Sequence, residues 1–197
     1  MEIDLKKEAD KLMKIRGGTK GSEFLTLKSY ILQKHGKEKV LLLERKMAEL
    51  GYPLDFDKIN IMEWYSESLF NLAMIAAKHL FGWENLFEFG YNSIKFSFGM
   101  RLFVKFISLE RVFKEASKTW RKFLDVGTLE PREFNRKEKY LIVRLKDYKF
   151  HPDSCLYYAG YFLRICEYTQ KSKKMTVEET KCMFKGDPYH EYLIRWE

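Results

Sequence analysis

Hydrophobic positions follow two textures along the chain: helical spacing up to about residue 123, and two-residue alternation beyond Gly127. Ile3, Leu5, Ala9, Leu12 and Met13 form a narrow stripe that predicts a polar helix over residues 2–15. Gly17, Gly18 and Gly21 break it. Their GGTKG run lacks a preceding strand and the spacing of a phosphate loop, so it predicts a hinge or a helix cap. Two helices are expected next, from Ser22 or Glu23 to about Lys34, and from Lys37 to Leu50. Gly36 stops the first and Gly51-Tyr52-Pro53 the second, and LDFDKIN reads as a loop. Over residues 61–81, Met62, Tyr65, Leu69, Leu72, Ala76 and Leu80 keep helical register, with apolar residues on nearly every side after Leu69. That is the pattern of a buried helix. A short helix over 84–92 precedes a phenylalanine-rich run over 94–123. The KTWRK stretch at 118–122 reads as the polar outer face of a helix end.

Past Gly127 two strands are predicted, joined by the polar turn Asn135 to Lys137, with Leu141, Val143 and Leu145 on one face. His151-Pro152-Asp153-Ser154 opens a helix that runs to about Tyr168, with Asp153 or Ser154 as its N-cap. A strand through Met175 and Val177, a turn at Gly186-Asp187-Pro188 and a last strand from His190 to Trp196 complete the order. The class is α+β: an N-terminal helical layer over 1–126, then a ββαββ unit with an antiparallel sheet over 127–197. At 197 residues the length suits a single domain.

Composition changes this picture in two places. Phe, Tyr and Trp make up 16% of the chain, which means a heavily stacked core or a cavity walled with rings. Phe96, Phe103, Phe106, Ile107 and Phe113, with Leu72 and Ala76 from the preceding helix, are the expected ligand-pocket residues. The net charge of +8 is spread among acidic residues along the chain and reads as a solvated surface, so a nucleic-acid partner is not expected. No run of apolar residues is long enough to cross a membrane, and the charged start carries no secretory pattern. The expectation is a cytoplasmic protein without a membrane partner.

Chemistry concentrates in the last stretch. Cys155, Glu179, Cys182 and His190 are four candidate metal ligands within 36 residues. Cys166 lies roughly 16 Å along the helix from Cys155 and cannot join them. Glu179 and Cys182 have opposite parity on an ideal strand, so a bulge or a strand end is needed to aim both at one point. Buried structural cysteines are the competing reading. His79, at the end of the buried helix, reads as a hydrogen-bonded histidine favoured there by the helix dipole. No dinucleotide fingerprint, nucleophile elbow or HExxH motif occurs, so an enzyme is not expected.

The pieces Ser154-Cys155-Leu156, Gly160-Tyr161, Glu179-Thr180-Lys181-Cys182 and Gly186-Asp187, with His190 just past the turn, resemble the 4-vinyl reductase domain family. That family includes ligand-sensing domains of aromatic-responsive bacterial activators. Its wider fold group is similar to haem nitric-oxide sensors and to a small Golgi-tethering subunit. The resemblance implies a structural zinc site, carried over here to Cys155, Glu179, Cys182 and His190, the histidine standing where the family has a cysteine. It implies a non-enzymatic small-molecule-binding or sensor domain for a small hydrophobic or aromatic ligand, with zinc and no haem expected as cofactor. A dimeric scaffold of the tethering type is the alternative, and a reductase-associated enzyme a weaker one. Output is expected through a homodimer or a separate partner protein.

Overall fold

Residues 4–96, 107–170 and 174–197 are described by a computed structural model. Its class is the expected one, helices followed by an antiparallel sheet. Helix α1 (Leu5–Leu12) is capped by Asp4, whose carboxylate accepts from the backbone of Lys6 and Lys7. Strand β1 (Gly18–Lys20), α2 (Gly21–His35) and α3 (Lys37–Glu49) follow, with Gly36 at positive φ between the two helices. A 3-10 turn (Phe56–Lys58) lies within the expected loop. Strand β2 (Trp64–Ser66) then leads into α4 (Glu67–Phe81), and α5 (Phe87–Phe96) comes next. Among the described residues, α6 (Leu109–Lys114) and α7 (Ala116–Phe123) follow. The rest is β3 (Thr128–Asn135), β4 (Tyr140–Lys146), α8 (Asp153–Thr169), β5 (Met175–Lys181) and β6 (His190–Trp196).

The second sheet runs β3-β4-β6-β5, antiparallel throughout. Leu141, Val143 and Leu145 of β4, with Tyr192 and Ile194 of β6, are buried. They belong to one core that also takes Phe24, Phe70, Leu72 to Ala77, Tyr157 and Phe162 from the helices.

Four local expectations need correction. The GGTKG run is more than a hinge: Gly18 to Lys20 pair antiparallel with Trp64 to Ser66. The same pairing removes residues 64–66 from the expected helix, and α4 starts only where the Ser66 hydroxyl accepts from Leu69 N. Neither Asp153 nor Ser154 caps α8. The Asp153 carboxylate is paired with Lys78 Nζ at 2.8 and 2.9 Å, and the Ser154 hydroxyl donates to Asn71 at 2.5 Å. Trp120, within the stretch read as an outer face, is buried and donates to the Val126 carbonyl at 3.0 Å.

Helices α5 and α8 meet backbone to backbone. A Cβ on Gly90 would stand 1.9 Å from the Tyr157 carbonyl oxygen, and one on Gly160 would stand 2.3 Å from that of Phe87. Only hydrogen fits at either position. Gly160→Ala must push the helices apart and is expected to destabilise the fold by about 2 kcal/mol. Urea unfolding reads this as a lower midpoint at unchanged slope; an unchanged midpoint would contradict the close crossing.

Candidate metal centre and ligand cavity

Helix α8 begins with two residues that face different sites. Ser154 turns toward Asn71 of α4, whereas the Cys155 thiol meets the β5–β6 hairpin. There the ligating atoms of Cys155, Glu179, Cys182 and His190 all lie within 4.8 Å of one another. Two cysteines, a histidine and a carboxylate are the donor types of a tetrahedral zinc site.

The parity conflict between Glu179 and Cys182 is resolved where it had to be. The β5–β6 register shifts between Glu179 and Lys181, and the strand ends before Cys182. Cys182 is then held by the turn: its N–H donates to Asp187 Oδ2 at 2.8 Å, and its carbonyl accepts from Lys185 N and Asp187 N. Gly186, at φ +99, closes that turn.

The spacing within the cluster suits an ion. Cys155 Sγ lies 3.7 Å from Cys182 Sγ and 3.7 Å from His190 Nδ1. Two thiolates about 2.3 Å from a tetrahedral centre stand about 3.8 Å apart, and both cysteines are free of disulfides. His190 is oriented from behind, its Nε2 at 3.0 Å from the Tyr148 carbonyl. A bond to a carbonyl requires the proton on Nε2, so in the neutral ring Nδ1 presents its lone pair to the cluster. Nδ1 also sits 2.9 Å from Glu179 Oε1. A lone pair and a carboxylate oxygen at that distance need a proton or a cation between them. Burial pushes the Cys155 thiol up, and the neighbouring Glu179 and Cys182 push it further.

An apolar cavity lies farther along α8. Its atom-free space, the opening included, is about 900 Å³. Leu109, Val112 and Phe113 of α6, Trp120 and Phe123 of α7, Leu141 and Val143 of β4, and Tyr157, Tyr158, Tyr161, Phe162 and Cys166 of α8 line it. Of the pocket residues expected from sequence, Phe113 is in this lining. Phe96 instead packs edge-on against Tyr30, Ile107 is half-buried outside the lining, and Leu72 and Ala76 are fully buried core. Phe103 and Phe106 lie outside the described residues.

Sequence reasoning missed the polar end of the cavity. Thr19, Glu23 and Glu67 are in its lining. Glu67 Oε1 accepts from Tyr148 Oη at 2.5 Å and from Asn71 Nδ2 at 2.9 Å. Glu67 Oε2 is buried without a hydrogen-bond partner. Desolvation, helped by the charge of Glu23, pushes the Glu67 carboxyl up to about 8, and desolvation pushes Glu23 up to about 7. Glu67 opens α4, where an acidic residue ordinarily signals an exposed helix N-terminus. Nothing local to the sequence distinguishes it from that case.

No protein-family model matches the chain, and no curated protein matches it. Solved structures do. An H-NOX protein from Shewanella oneidensis in the Fe(II)NO ligation state is 13% identical, with TM-score 0.67, over 90% of this chain and 99% of that one. An oxygen-binding H-NOX domain related to soluble guanylate cyclases is 12% identical, with TM-score 0.66, over 90% and 95%. A structure described as modulating haem redox potential through porphyrin distortion is 13% identical, with TM-score 0.64, over 90% and 99%. At such identities the likeness shows the fold alone.

These neighbours overturn one expectation from sequence, that haem plays no part: the fold is that of haem domains. The apolar cavity itself offers no histidine to hold a haem. The sequence has four histidines. His79 is exposed, His35 stacks on Trp83, His151 lies beside Asp153, His190 belongs to the cluster, and none is in the cavity lining. The lining does offer the Cys166 thiol and tyrosine hydroxyls, donor types that hold haem iron in other folds.

The buried Glu67 predicts a pH dependence of stability. The folded carboxyl binds its proton more tightly than the unfolded one, whose value is near 4.5. Its contribution is therefore complete below about pH 4.5 and is lost as pH rises toward about 8. Denaturant melts at pH 5, 6, 7 and 8 should show stability falling across the series, with a shallower fall in Glu67→Gln.

Proposed function

We propose that this chain is a non-enzymatic small-molecule sensor domain, a single unit over 1–197. Its ligand occupies the aromatic-walled cavity, while Cys155, Glu179, Cys182 and His190 hold a structural zinc ion. The observation that carries the reading is the pairing of the two sites on one helix, Cys155 at the start of α8 and the cavity wall farther along it. A cavity walled by Trp120, Tyr157, Tyr158, Phe113 and Phe162 suits a small hydrophobic or aromatic ligand. Four protein donors complete a tetrahedral shell, so the metal has no open position for a substrate or an activated water. Its role is then to clamp the start of α8 to the β5–β6 hairpin. The H-NOX fold, some of whose solved members are named for NO or oxygen ligation, supports a sensor, and the four donors within 4.8 Å of one another support the zinc site. Output passes through a second copy or a separate partner.

Metal analysis with native mass spectrometry on untreated protein tests the zinc site. One zinc per chain is expected, with at least tenfold weaker binding in Cys182→Ser and a lower melting midpoint after chelation. Protein that takes up no zinc, with a midpoint indifferent to chelator, would remove the clamp. Haemin titration tests the ligand side in parallel. A Soret band that disappears in Cys166→Ala would make the cavity a thiolate-held haem pocket and displace the hydrophobic-ligand reading.

A further inference from the structure

The cavity is apolar except at one end, and that end is acidic. Glu67 is 1% exposed, and its Oε2 has no partner. Thr19, in the same lining, donates its hydroxyl to the Phe123 carbonyl at 3.4 Å. Glu23, half-buried as a residue, brings a second carboxyl into the lining and accepts from Tyr157 Oη at 3.4 Å. Among the described residues the lining includes no lysine, arginine or histidine. Buried polar atoms in folded proteins are almost always bonded, and an exception calls for a missing partner. A buried acid beside a half-buried one, with no base in the lining, is held neutral by its surroundings and becomes a charged partner once a cation is brought to it. The surrounding rings of Trp120, Tyr157, Tyr158 and Tyr161 suit one as well, because aromatic faces attract an ammonium group.

We propose that the ligand of this cavity is an apolar amine, its hydrocarbon body among the aromatic side chains and its ammonium head against Glu67 Oε2, with Glu23 as the second acidic neighbour. The proposal rests on the reading of the cavity as the ligand site and names the class of ligand. Empty of such a head, the Glu67 carboxyl keeps its proton near neutral pH, the cheaper state for a lone buried acid. An arriving neutral amine takes that proton, leaving a carboxylate–ammonium pair; an arriving ammonium releases it to water. Either way the proton is accounted for without a co-reactant. The titratable groups facing Glu67 are Glu23 from α2, Tyr148 after β4, and Tyr157 and Tyr158 from α8.

Three probes with equal numbers of heavy atoms separate the possibilities: 2-phenylethylamine, 2-phenylethanol and propylbenzene, titrated into the full chain by calorimetry at pH 6 and pH 8. The amine is expected to bind at least tenfold more tightly than the other two at pH 8, and more weakly at pH 6, where one more proton must leave. Glu67→Gln should abolish the preference while propylbenzene binding persists, which also shows that the variant is folded. Glu23→Gln, a milder change, should reduce the preference and serves if Glu67→Gln does not fold. Equal affinities for the three probes, or a preference that survives Glu67→Gln, would overturn the amine assignment and leave the cavity reading standing. Absence of binding by all three would overturn both.

Discussion

The contact on which the architecture depends is the one with no side chain in it. Gly90 and Gly160 let α5 and α8 approach until carbonyl oxygens occupy the places where Cβ atoms would stand. That approach sets the position of α8 over the sheet. From this one helix, Tyr157, Tyr158, Tyr161 and Phe162 then reach the cavity, and Cys155 reaches the β5–β6 hairpin. The Lys78–Asp153 ion pair, with both side chains largely buried, ties the start of the same helix to the end of α4. An α8 displaced by the width of a methyl group would spoil the wall and the cluster together.

Much of this was legible in the chain, for identifiable reasons. The C-terminal ββαββ order follows from alternation at Leu141, Val143 and Leu145 and from the turn at Gly186, both local signals. The parity of Glu179 and Cys182 even called for an irregularity, and the register shift sits between Glu179 and Lys181. What escaped was non-local. Trp64 to Ser66 share helical spacing with Leu69 and Leu72, and only pairing with Gly18 to Lys20, far back in the sequence, makes them a strand. The phenylalanine-rich run does supply cavity wall, from Leu109 to Phe123, but Tyr157, Tyr158 and Tyr161 of α8 join it from a pattern that reads simply as buried helix.

The acids show the same limit from another side. Glu67 follows Ser66 in a regular helix start, and Glu23 falls in the first turn of α2. Each obeys the ordinary rule for its position. Their burial arises because two helix beginnings converge on one cavity, and convergence has no sequence signature. Carboxyls brought together in this way resist ionisation, so the polar end of the cavity answers to whatever charge is brought to it.

Ser154 and Cys155 are neighbours in the chain, yet one belongs to each site. Through Asn71 the serine reaches Glu67, and the cysteine joins His190. The return path is as short: the His190 ring bonds the backbone of Tyr148, whose hydroxyl bonds Glu67. The Cys–His–Glu cluster and the cavity therefore close a loop of hydrogen bonds through a single dipeptide and a single tyrosine. Binding equilibria joined in this way obey reciprocity: whatever factor an ion at the cluster would contribute to ligand affinity, a ligand in the cavity would return to the ion.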